Sequence, residues 1–153
     1  MQNICSIIAY GYSIDASQNI IPASLHSRLG HGIGEDGLCI QGIDSFIQFD
    51  LADFIRLKTL KCEDPTIKIG SIQLNEGFEI YGSNQLGLLG TLLYTYINTT
   101  NPKEMTKELI IPSYNSAFAS LIIYGMIPYR FISVKAQMEN NIVVINLSFS
   151  HCN

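Results

Sequence analysis

The stretch "FEIYGSNQLGLLGTLLY", residues 78–94, decides the fold. It opens in alternation, with Phe78 and Ile80 directed to one side, and breaks at Tyr81-Gly82-Ser83-Asn84. From there it runs to Tyr94 with no charged residue after Glu79. Period-2 alternation is the mark of a half-buried strand, and glycines allow turns and close backbone approach. The segment therefore reads as strand, turn, strand, the second strand being "TLLYTYI" at 91–97. It is no phosphate loop, because no Gly-Lys-Ser/Thr follows the glycines.

Working outward, the same period recurs. "SFIQFDL" (45–51) places Ile47, Phe49 and Leu51 on one face and Gln48 and Asp50 on the other. "IKIGSIQL" (67–74) alternates in two phases that switch at Gly70-Ser71, as a β-bulge would require. "ICSIIAYGYSI" (4–14), "KELIIP" (107–112), "AFASLIIYG" (117–125), "YRFISVKA" (129–136) and "NIVVINLSF" (141–149) complete the set. In the last of these, Val143, Ile145, Leu147 and Phe149 fall on one side. Short helical turns are expected at 51–60 and at 101–109, the latter with Asn101 as cap and Pro102 behind it. Regularly spaced strands bounded by turn residues argue for an antiparallel sandwich rather than βαβ units. The sequence thus predicts one all-β domain over 1–153, an antiparallel jelly-roll-like β-sandwich of about eight or nine strands.

Composition narrows the function. Of 153 residues, 14% are charged and 47% hydrophobic, with a net charge of −4. An average soluble domain is about 25% charged, so this surface must be built from Ser, Thr, Asn, Gln and Tyr. Charge is the usual defence against association, and a surface without it is sticky. The nine Lys and Arg form no basic stripe, which argues against nucleic acid. No apolar run reaches the length of a membrane span, and the N-terminus lacks the basic region and small-residue cleavage site of a secretory signal.

Few residues suggest chemistry. Glu35, Asp36 and Asp44 lie in the Gly-rich stretch "RLGHGIGEDGLCIQGIDSFIQFD" (28–50) and are the calcium candidates, although the spacing matches no EF-hand and such loops commonly just turn the chain. His26 and His31 fall in the same region without a nucleophile motif beside them, so no catalytic residue is assigned and the chain is read as a non-enzyme. Cys5, Cys39, Cys62 and Cys152 have no metal-ligand spacing. Buried thiols are expected at Cys39 and Cys62, and Cys5 and Cys152 are candidates for an inter-subunit disulfide. Tyr81, Tyr94, Tyr96 and Tyr129, with Asn84, form the ligand or interface set, since aromatic faces beside amides suit sugars and protein partners alike. Asn98-Thr99-Thr100 and Asn146-Leu147-Ser148 match glycosylation sequons.

"GIGEDG", "IQGIDSFIQFDLAD" (to 53), "FEIYGSNQLGLLGTLL" (78–93) and "YRFISVKA" (129–136) together resemble small jelly-roll modules of bacterial exported surface proteins. The resemblance rests on turn and core residues, so it implies a fold and carries over no active site. Two functions follow as expectations. The first is a non-enzymatic structural subunit that self-assembles into a coat, fibre or appendage at a cell, spore or virion surface, reached without a recognisable signal peptide. The alternative is a carbohydrate-binding module, with structural calcium, and a cytoplasmic location is the alternative to the surface.

Overall fold

The computed structural model describes residues 8–29, 36–39, 44–52, 66–103, 105–110, 129–137 and 143–148. Among them are eleven strands: β1 (Ile8–Ile14), β2 (Ile20–Ala23), β3 (His26–Leu29), β4 (Asp36–Cys39), β5 (Ser45–Asp50), β6 (Thr66–Ile72), β7 (Gly77–Ser83), β8 (Thr91–Ile97), β9 (Met105–Ile110), β10 (Phe131–Gln137) and β11 (Val143–Ser148). The described residues are essentially all-β, as the alternation predicts. The surplus over eight or nine strands comes from β2, β3 and β4, each of four residues. Four residues give only two per face, and Pro22 and Gly37 interrupt what little alternation that leaves.

The strands form a six-stranded sheet in the order β2-β1-β5-β10-β7-β8 and a five-stranded sheet in the order β3-β4-β11-β6-β9. Every pairing in the six-stranded sheet is antiparallel. The connections β2–β3, β4–β5, β5–β6, β6–β7, β8–β9, β9–β10 and β10–β11 each pass from one sheet to the other. The stretch 78–94 is the β7–β8 hairpin, and 45–51 supplies the central strand β5, which pairs with both β1 and β10.

Glycine at position 70 marks a register shift between Ile69 and Ile72 in the β6–β9 pairing, where the phase switch places a bulge. Two expectations need correction. "NPKEMTKEL" (101–109) is not helical: the Asn101 side chain accepts a bond from Lys103 N at 3.0 Å, and the chain then enters β9 and pairs with β6. Pairing along a neighbouring strand outweighs a weak local helical preference. In β11 the pairing with β6 shifts between Val144 and Asn146, so unbroken alternation from Val143 to Leu147 does not hold. The expected helical turn at 51–60 lies outside the described residues from position 53 on, as does the strand expected at 117–125.

Residues opposite one another in a ladder project to the same face, so the register divides the six-stranded sheet. One face carries Ile47, Phe49, Ile132, Val134, Ile80 and Phe78, all buried. This apolar face is the expected core side of β5. The opposite face carries Tyr10, Tyr12, Phe46, Gln48, Asp50, Phe131, Ser133, Lys135, Glu79 and Tyr81. Alternation sets Gln48 and Asp50 on the face opposite Ile47 and Phe49, yet Gln48 is 0% exposed and Asp50 is buried too. Something covers this second face.

Candidate interaction face

The cover is the β7–β8 loop, residues 84–90. Gln48 holds it from below. Its Nε2 donates to the carbonyl of Leu88 at 3.0 Å and to Ser133 Oγ at 3.1 Å, and its Oε1 accepts from the backbone N–H of Gly87 at 2.8 Å. A side-chain amide offers the same donor and acceptor as a peptide group, so Gln48 pairs with the loop as a strand would. Burial makes these bonds obligatory, since an unpaired amide there would be costly.

The loop takes the required path because of its glycines. Gly87 has φ +77° and its backbone lies against the Tyr12 ring, which stacks on Phe46 at 5.2 Å between centroids. Gly90 has φ +84°, and a Cβ there would collide with the carbonyl of Gly82. Both conformations disfavour residues with a side chain. At the start of the loop, Ser83 Oγ exchanges bonds with Gln85 at 3.0 Å, and Asn84 Oδ1 accepts the Arg130 backbone N–H at 2.9 Å.

Arg130 closes one end of this face. Its Nε and Nη2 donate to the two oxygens of Asp50 at 2.9 and 2.8 Å, and its guanidinium lies 5.0 Å from the Phe131 ring centre. Bidentate bonding from Arg130 holds the Asp50 carboxyl below the usual carboxylate value, against the opposing pull of burial. At the other end, Tyr81 donates its hydroxyl to Glu79 Oε2, Gln137 Nε2 donates to Glu79 Oε1 at 3.3 Å, and Lys135 Nζ pairs with Asp44 Oδ1 at 2.9 Å. Burial, then the hydrogen bond to Glu79, pushes the Tyr81 phenol up to about 12.

The loop so firmly held from below presents apolar groups above. Leu86 is 46% exposed and Leu88 47%. Leu92, beyond the loop on β8, is 50% exposed and faces the same side as its cross-strand partner Tyr81. Residues 80–102 carry no charge at all. Among the strands that end the two sheets, β2 contains Pro22, β3 Arg28 and β9 Lys107, whereas β8 contains none of these guarding residues.

Comparison of the chain with family models, curated proteins and solved structures yields no match.

The sequence-predicted residues do not converge. Tyr81 stands on the loop face. Tyr94 and Tyr96 go to the other side, where they lie 6.0 and 5.6 Å from the ring centre of Phe78. Tyr129 packs over Gly82, and Asn84 serves the backbone of Arg130. The division follows from the β7–β8 register: Ile80 pairs with Tyr94, and after a shift Tyr81 pairs with Leu92. Of the calcium candidates, Asp44 is paired with Lys135, Asp36 begins β4, and Glu35 lies outside the described residues. Among the described residues no three His, Cys, Asp or Glu side chains gather as a metal site would require. Cys5 and Cys152 lie outside the described residues, as do Cys62 and His31.

Sequence reading missed Gln48, Ser133 and Arg130. The available signal was a glutamine between Ile47 and Phe49, a polar residue flanked by core residues, which alternation set on the face opposite them. The Asn98 sequon also changes meaning. Asn98 is 1% exposed, and its Nδ2 donates to the carbonyl of Asn101 at 2.9 Å while Oδ1 accepts from Asn101 N at 2.9 Å. That amide is a turn clamp, and it is closed to glycosylation in the folded chain.

Proposed function

We propose that the protein is a non-enzymatic structural subunit, a jelly-roll sandwich that associates with copies of itself through the face carrying loop 84–90. The sandwich is supported by strand order. Within the two sheets, β4-β11-β6-β9 and β5-β10-β7-β8 form two four-stranded sets, and the chain visits them alternately as two interleaved Greek keys do. The apolar face of the six-stranded sheet would meet Ile69 and Ile72 of the other sheet, which are fully buried.

One observation carries the association. A buried glutamine uses both ends of its amide to hold in place a loop whose leucines point into water. A loop with no partner would gain stability by turning Leu86 and Leu88 inward. Fixing them outward instead prepares a contact and lowers its entropic cost. The partner is a second copy because an isologous contact brings each residue near its own equivalent. A stretch without charge, as residues 80–102 are, can meet itself without like-charge repulsion. The assembly we propose belongs at a cell, spore or virion surface, the setting that the sequence resemblance to bacterial surface modules implies.

Sedimentation velocity over a hundredfold concentration range tests this. The wild type should associate with concentration, and the double substitution Leu86→Ser with Leu88→Ser should sediment as a monomer with unchanged circular dichroism. A wild type that stays monomeric at high concentration refutes the proposal.

A further inference from the structure

We infer that the half-buried polar strip at the end of the loop face away from Arg130, formed by Glu79, Tyr81, Lys135, Gln137 and Asp44, is a binding site for a neutral carbohydrate. The inference is independent of self-association, since the strip shares no residue with the leucine-bearing loop.

Its geometry is rigid. Glu79 and Tyr81 project from β7, Lys135 and Gln137 from β10, and these strands are adjacent with Lys135 directly opposite Glu79. Each side chain is already held by a neighbour. Tyr81 and Gln137 each donate to one oxygen of the Glu79 carboxylate, and Lys135 is held by Asp44. Groups fixed before the ligand arrives lose little entropy when it binds.

Among the described residues the strip also retains hydrogen-bonding capacity. A lysine ammonium has three donors and Asp44 takes one; the amide of Gln137 keeps a second N–H and its carbonyl oxygen; the Tyr81 oxygen and both carboxylates keep lone pairs. Donors and acceptors thus alternate within one small patch. Vicinal sugar hydroxyls, each both donor and acceptor, match that alternation. Beside it the half-buried Tyr81 ring and the exposed Leu92 offer an apolar margin for the C–H face of a pyranose. One cation between two carboxylates leaves the strip with one net negative charge, which disfavours a phosphate, and both carboxylates are already engaged by Tyr81, Gln137 and Lys135, which favours an uncharged polyol over a basic peptide.

Affinity electrophoresis in gels containing soluble neutral polysaccharides (a β-glucan, a xylan, a galactomannan and a glycol chitin) tests the inference. At least one should retard the wild type, and Tyr81→Ala and Lys135→Ala should each weaken retardation tenfold or more. Leu86→Ser with Leu88→Ser should leave it intact. Both strip variants are checked by circular dichroism, and Glu79→Gln gives a third, near-isosteric perturbation should either unfold. The inference is overturned if no polysaccharide retards the wild type, or if retardation survives in the folded strip variants.

Discussion

Replacing Gln48 with leucine removes the clamp while keeping a side chain of similar length. Three bonds are lost: to the Leu88 carbonyl, to Ser133 Oγ and from the Gly87 N–H. A neutral intramolecular bond contributes about 1 kcal/mol net, and a partner stranded in the interior costs about 1–3 kcal/mol. Ser133 is fully buried and is stranded. Gly87 and Leu88 lie at the surface end, so water reaches their backbone groups once the loop lifts. Leucine restores some apolar contact with Phe46 and Tyr12. These terms put the loss at about 3 kcal/mol. Set against the roughly 5–15 kcal/mol that holds a domain together, the effect is large. Urea unfolding reads it as a midpoint lowered by about 1–2 M with the slope unchanged. Amide exchange adds the local readout, with the Gly87 N–H losing its protection. A loss below about 1 kcal/mol, with that amide still protected, would refute the claim that Gln48 holds the loop.

Other predictions follow from the same face. Because Arg130 depresses the Asp50 carboxyl below 3.8, its contribution to stability is complete above the unfolded-state value and lost as pH falls through the lower, folded-state value. Urea midpoints should therefore fall on acidification below about pH 4, and Arg130→Met should flatten that decline. Tyr81 should ionise near 12 in an ultraviolet titration, and Glu79→Gln should bring it back toward the ordinary phenol value, since burial and Glu79 together raise it. Gly90→Ala should destabilise more than Gly87→Ala, because the first adds a collision with the Gly82 carbonyl to the strain of a positive φ. About 1 kcal/mol is expected for Gly87→Ala and at least twice that for Gly90→Ala, read by thermal or urea unfolding.

Legible in the residues alone were the all-β character, the longer strands among the described residues, the hairpin at 78–94, the two faces of 45–51 and the irregularity at Gly70. All of these depend on residues within a few positions of one another, where side-chain period and glycine geometry act directly. Only the tertiary structure decided which face of β5 is covered, and by what. Gln48 and the loop it holds are about forty residues apart, and Asp50 and Arg130 are eighty apart. Alternation says that Gln48 opposes Ile47; it cannot say that a distant loop removes that face from water. Nor could it divide the tyrosines. Tyr81 and Tyr94 share one hairpin and stand on opposite faces, because a single register shift between paired strands reverses the side to which a side chain points. Register is set by the partner strand, and the partner is chosen only when the whole sheet forms.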